Sequence, residues 1–142
     1  VLKGVISEIE PIAIDKGIII QEAFIRDLQL NGANRSLIFS MLYNVINNAV
    51  KNTLEGGRVT VKSMSVQNRF TVTITDTGHG MSKEQIDTLF SRFKTKVSYQ
   101  KDGAGIGLAI SKSIADFHKI TISVTSELEK GTTFSFIFPE NS

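Results

Sequence analysis

The sequence predicts a two-layer α/β sandwich, with helices on one face of a sheet and the other face left open. Three segments carry that expectation. Phe70, Val72 and Ile74 alternate with Thr71, Thr73 and Thr75; Ile120, Ile122 and Val124 with Thr121, Ser123 and Thr125; Phe134, Phe136 and Phe138 with Thr133, Ser135 and Ile137. Successive side chains of a strand point to opposite faces, so each segment has one apolar and one hydroxyl-rich side, as a sheet covered on one face requires. Strands of a doubly wound fold are buried on both faces and read as continuous apolar runs, which these do not. The segments between them space their apolar residues as helices do.

Leu2, Val5, Ile9 and Ile12 recur at helical spacing, and Lys16-Gly17 reads as the end of that helix with its glycine cap. Pro11 conflicts with the pattern and predicts a kink or a shorter helix. A short strand follows over Ile18 to Ile25, and another is expected near Leu28 to Leu30. Asn34 to Lys51 is strongly amphipathic, with Ile38, Leu42, Val45, Ile46 and Ala49 on one side. Gly56-Gly57 turns the chain into a hairpin, Arg58 to Ser65 paired with Phe70 to Thr75. Ser82 is placed to cap a helix through Phe93, with Gln85 three positions on completing a capping box. Lys94 to Gly105 is polar and glycine-bearing, hence a loop. Ile106 to Phe117 is helical by the spacing of Ile110, Ile114 and Phe117, and strands over Ile120 to Ser126 and Thr133 to Phe138 follow.

With 142 residues, 41% of them apolar, the chain is long enough for one domain with a real core. Its net charge of +2 comes from well-mixed signs without a basic block, which gives no case for nucleic acid as a partner. The absence of cysteine excludes disulfides and thiolate metal sites and suits a cytoplasmic location. Only His79 and His118 are present, too few for a zinc cluster. No stretch approaches the roughly 20 apolar residues of a membrane span. The start on Val1, inside an apolar periodic pattern, suggests a piece of a longer protein; a cytoplasmic location of this piece is compatible with a membrane-anchored parent.

Asp76 continues the parity of Phe70, Val72 and Ile74, so a persisting strand aims its carboxylate at the apolar layer. A buried polar group without a partner costs roughly 1–3 kcal/mol, so a partner is expected. Gly78 and Gly80 leave room for a ligand against bare backbone. The competing reading is a turn aspartate just past the strand end. On the long helix Asn44, Asn48 and Lys51 form one stripe, i, i+4 and i+7. Asparagine is a mediocre helix former; a merely solvated face is the competing reading, although Glu, Lys or Gln would make one more cheaply. Amide oxygens there suit a hard cation such as Mg²⁺, with Lys51 meeting phosphate. Gly103-Ala104-Gly105-Ile106-Gly107-Leu108 opens into a helix, where free N–H groups favour anions; a flexible hinge is the competing reading for a lone glycine cluster. Its spacing is not that of a dinucleotide fingerprint, and no P-loop pattern occurs. Phe90 reads as core. Arg92 and Lys94 border the loop within reach of phosphates, or are simply exposed. Neither histidine reads as catalytic.

In this order the segments resemble the ATP-binding catalytic domain of sensor histidine kinases, within the GHKL superfamily. Residues 42–53 look like the N-box, Asp76 to Met81 like the first glycine box, and Phe90 to Phe93 like the F-box. Gly103 to Lys112 look like the second glycine box, and Gly131-Thr132-Thr133-Phe134 like the end of a third. The resemblance spans nearly the whole chain and implies that family's fold, a mixed, largely antiparallel sheet with helices on one face. It implies ATP and Mg²⁺ as cofactors. Asp76 would accept from the adenine amino group, Asn48 with Asn44 would hold Mg²⁺, and Lys51 would touch a phosphate. Gly105 and Gly107 would admit the phosphates, residues 94–104 would form a lid, and Thr132 would lie near the adenine. The implied nucleotide-binding set also includes Asn52, Gly78, Gly80, Met81, Phe93, Lys94, Gly103, Ile106 and Leu108. Asn52 stands where the family often has an aromatic against adenine, and Glu129 where it usually has glycine.

Relatives that hydrolyse ATP carry a glutamate four residues before the helix asparagine. Here that position is Asn44, which cannot serve as a general base. The resemblance therefore implies a phosphoryl donor, with Asn44, Asn48 and Lys51 as the catalytic stripe. The acceptor histidine of such kinases is followed by an acidic residue, whereas His79 precedes Gly80 and His118 precedes Lys119. The implied partners are a helical dimerisation and phosphoacceptor domain of the same protein, homodimeric in the parent, and the receiver domain of a response regulator. A GHKL ATPase and a degenerate nucleotide-binding regulatory module are the competing readings.

Overall fold

The computed structural model describes residues 1–24, 32–94 and 104–139, with the side chains of 32, 33, 89–94 and 104–107 outside that description. Along the chain run α1 (Leu2–Lys16), β1 (Ile19–Phe24), α2 (Gly32–Asn52), β2 (Arg58–Val66), β3 (Arg69–Asp76), α3 (Lys83–Lys94), α4 (Ala104–Phe117), β4 (Thr121–Glu127) and β5 (Gly131–Ile137). The strand expected near Leu28 to Leu30 and most of the expected lid lie outside the described residues.

The strands form one sheet in the order β1-β2-β3-β5-β4. β1 pairs with β2 in parallel, and the other neighbours are antiparallel. The mixed, largely antiparallel sandwich is therefore the observed fold. Alternation sorts its faces as expected. Val59, Val61, Phe70, Val72, Ile74, Phe134 and Phe136 are buried under the helices. Phe136 is fully buried, and covering a phenylalanine side chain contributes about 1.5–3 kcal/mol. The open face is hydroxyl-rich, and Thr75 and Thr133 hydrogen-bond across β3 and β5 at 3.0 Å.

α1 reaches the full length of its periodicity, through Pro11 to Lys16, and ends at Gly17 in the left-handed conformation. The expected shortening is absent because Pro11 lies on the exposed side, where the carbonyl it deprives of a donor can take water. Ile12 is exposed, and Ile6 and Ala13 take its place in the core. α4 begins at Ala104, earlier than Ile106, so Gly105 belongs to the helix and not to the preceding loop. Its buried face also differs from the expected one. Ile110 and Phe117 are exposed, and Ile114 is joined in the core by Leu108, Ser111 and Ala115. Small residues let α4 approach α2 closely enough for the Ser111 hydroxyl to donate to the Met41 carbonyl at 2.9 Å.

Candidate functional site

Strand β3 persists to Asp76, whose cross-strand neighbours are Val59 on β2 and Thr132 on β5. Parity thus carries its side chain to the covered face, where it is 5% exposed, and the turn-aspartate alternative falls. One carboxylate oxygen accepts from the Gly78 N–H at 2.9 Å. Burial pushes the carboxyl above its ordinary value of 3.8, and hydrogen bonds from the Gly78 and Thr132 backbone restrain the rise.

The segment after Asp76 folds back tightly. Thr77 is locked to the start of β2, its hydroxyl accepting from the Arg58 N–H at 3.0 Å. A β-carbon on Gly78 would lie 2.4 Å from the Asn52 carbonyl oxygen at the end of α2. Gly80 has φ +71, and a β-carbon there would lie 1.9 Å from the Glu127 carbonyl oxygen. These glycines seat the loop on α2 and on the β4–β5 turn, a packing role in addition to the room for ligand that the sequence suggests. From the turn, the Glu129 N–H donates to the His79 carbonyl at 2.7 Å. The capping box is present: the Ser82 N–H donates to Gln85 Oε1 at 2.8 Å, and the Gln85 N–H to Ser82 Oγ at 3.1 Å.

Beside Asp76 opens a cavity of about 400 Å³, a volume typical of small-molecule sites. Of the expected site residues, Asn48, Asn52, Asp76, Gly80, Met81, Leu108 and Thr132 line it. Asn44 is half-buried one turn before Asn48, and Lys51 is exposed; neither is part of the described wall. Gly78 serves through its N–H. Gly105, Ile106 and Gly107 fall in the first turn of α4, Phe93 and Lys94 end α3, and Gly103 lies outside the described residues.

Three wall residues escaped the sequence reading: His79, Gln85 and Phe134. Phe134 shares the parity of Thr132, so alternation offered a signal. Gln85 was legible only as a cap, and that cap holds it at the cavity. His79 lies between Gly78 and Gly80 within the first glycine box, and that position was its signal. Chemically, the cavity joins a buried carboxylate, amide groups from α2, and apolar surface from Met81, Leu108 and Phe134. That combination suits a flat heteroaromatic base with an exocyclic amino group, with polar oxygens of the same ligand toward α2.

Residues 33–142 match the family described as histidine kinase-, DNA gyrase B- and HSP90-like ATPases. The chain belongs to that family. Among its relatives is the heme sensor protein HssS of Staphylococcus saprophyticus, 41% identical over 111 residues, covering 78% of this chain and 24% of the relative. The chain thus spans about a quarter of that protein. Full-length ShkA, solved in complex with AMPPNP, superposes with a TM-score of 0.79 at 32% identity, over 97% of this chain and 29% of that one. The catalytic domain of histidine kinase ThkA, in a nucleotide-free form, has the same fold, with a TM-score of 0.80 at 23% identity over 97% and 89% of the two chains.

Among the described residues no helix is long and apolar enough to cross a membrane.

Proposed function

We propose that this chain is the ATP-binding catalytic domain of a sensor histidine kinase, one part of a longer protein. It binds ATP with Mg²⁺ and donates the γ-phosphoryl to a histidine on a helical dimerisation domain of that protein. From there the phosphoryl passes to the receiver domain of a response regulator. The parent is a homodimer, and this domain lies in the cytoplasm whether or not the parent is membrane-anchored.

The observation that carries the reading is Asp76, a carboxylate 5% exposed in the wall of a cavity shared with Asn48. Backbone N–H groups of Gly78 and Thr132 offset only part of the cost of burying it, and a ligand donor would offset more. The adenine amino group is that donor, and Met81, Leu108 and Phe134 cover the ring. Mg²⁺ fits the donor set: it takes oxygen ligands, commonly one or two from protein and the rest from phosphate and water. Asn48, with Asn44 one turn away, supplies amide oxygens of that kind. Among the described residues no three His, Asp or Glu converge into a protein-only cage.

ATP·Mg²⁺ supplies the transferable phosphoryl. The chain's own residues bind and orient it, Asp76 and Thr132 at the base, the α2 amides and Lys51 toward the phosphates, and the first turn of α4 offering free N–H groups. Catalysis is then positioning and charge neutralisation, as is general for phosphoryl transfer. Asn44 offers no base to water, which favours donation to a histidine over hydrolysis.

The test mixes this chain, radiolabelled ATP and the helical domain of its parent. An acid-labile, base-stable label on that domain is expected, with negligible hydrolysis by the chain alone. Robust steady-state hydrolysis without the partner overturns the kinase reading in favour of an ATPase. Failure to bind ATP overturns both.

A further inference from the structure

We infer that Ser126 is a positioning residue for base recognition: it turns the Thr132 hydroxyl into a hydrogen-bond acceptor toward the cavity, so that the site selects a base edge carrying an amino group. The inference rests on the nucleotide reading above.

Ser126 lies on β4 with the parity of Ile122 and Val124, half-buried on the covered face. Its Oγ meets three partners: the Met81 N–H at 2.6 Å, the Gly131 carbonyl oxygen at 2.9 Å and Thr132 Oγ1 at 2.7 Å. A serine hydroxyl has one proton and two lone pairs. The Met81 N–H can only donate, so it takes one lone pair. The Gly131 carbonyl can only accept, so it takes the proton. The second lone pair is all that remains for Thr132, whose hydroxyl must therefore donate to Ser126. The reverse assignment leaves Ser126 and the Gly131 carbonyl facing each other at 2.9 Å with no proton between them.

The single proton of Thr132 is thus used within the protein, and its Oγ1 offers the cavity lone pairs alone. Thr132 and Asp76 are direct cross-strand partners on the covered face, and β-carbons so paired lie about 4.5–5.5 Å apart. Two acceptors side by side match an exocyclic amino group, which has two N–H protons. A keto oxygen in the same place sets lone pairs against both. Ser126 also ties the β4–β5 turn to Met81, so one hydroxyl aligns two cavity walls.

The test measures affinity for ATP and for ITP, which carries a keto group in place of the amino group, on the full chain. Wild type, Ser126→Ala, Thr132→Val and the double variant are compared. Freed from Ser126, the Thr132 hydroxyl can turn and donate, so Ser126→Ala should lower the ATP/ITP preference by about tenfold, one unpaired polar contact's worth. In the Thr132→Val background the same change should move the preference by less than about twofold. A purely structural role weakens both nucleotides alike and leaves the ratio where it was. Without nucleotide, Ser126→Ala should speed exchange of the Met81 amide while the Gly78 amide, held by Asp76, stays protected. ATP binding with a preference indifferent to Ser126 overturns this inference alone. A wild-type chain that binds neither nucleotide overturns the functional reading with it, and an unchanged Met81 amide overturns the hydrogen-bond assignment.

Discussion

Gly80 packs its bare α-carbon against the carbonyl of Glu127, so closely that a β-carbon would stand 1.9 Å from that oxygen. With φ at +71, the position excludes other residues on two independent grounds, backbone conformation and space. Gly80→Ala should therefore cost at least about 2 kcal/mol of stability and weaken nucleotide binding by lifting the loop from the turn. Urea denaturation with a parallel calorimetric titration checks both effects. A variant as stable as wild type would show that the two segments are not packed as described.

Asp76 should set binding and stability against each other. Asp76→Asn places a donor where the base needs an acceptor, and mispairing of about 1–3 kcal/mol weakens ATP binding ten- to a hundredfold. Its folded pKa is raised above 3.8 by burial. The folded state therefore holds this proton more tightly than the unfolded chain, a stabilisation present in full below 3.8 and lost as pH rises through the folded pKa. Once pH has risen through that folded pKa, burial of the ionised carboxylate burdens the nucleotide-free protein. Asp76→Asn should accordingly melt higher without nucleotide and lose part of the decline in stability above pH 3.8. Equal ATP affinity for the two proteins would remove Asp76 from the base site.

Asn48→Asp changes the charge and donor pattern on the cavity wall where Mg²⁺ is proposed to sit. Phosphoryl transfer to the parent's helical domain should slow by at least about tenfold, while some nucleotide still binds. Transfer rates across a Mg²⁺ titration provide the measurement. An unaltered rate would exclude Asn48 from the metal.

Glu129 adopts φ +66, a left-handed conformation that costs an L-residue roughly 1–2 kcal/mol. Glycine relieves that strain but loses about 0.5–1 kcal/mol more backbone entropy on folding. Glu129→Gly should thus stabilise the protein by up to about 1.5 kcal/mol, readable in its denaturation midpoint, with the 2.7 Å backbone bond to His79 retained. Glu129 itself holds the left-handed position in this turn, so the expected effect of the substitution falls on stability. A destabilised glycine variant would mean that the Glu129 side chain makes a compensating contact.

What the sequence determined by itself is what local periodicity encodes. Alternation settled which face of β3, β4 and β5 is covered, because a strand's parity leaves its residues no other side; that β3 persists to Asp76, and so turns its carboxylate inward, was decided by the pairing with β2 and β5. The helical stripe of α2 and the Ser82–Gln85 capping box were equally legible, since their partners are three to eight residues apart. Tertiary structure alone decided what depends on distant segments meeting. It chose Leu108, Ser111 and Ala115 over Ile110 and Phe117 as the packed face of α4, because the side of the helix that meets α2 has a small residue at 111, close enough for its hydroxyl to reach the Met41 carbonyl. It brought Gln85 and Phe134 to the cavity and left Lys51 outside its described wall. It gave Gly78 and Gly80 a carbonyl to pack on, and joined Met81, Gly131 and Thr132 through the one proton and two lone pairs of Ser126. No pattern along the chain records those meetings, because layers packing across the sheet bring together residues whose own neighbours give no sign of one another.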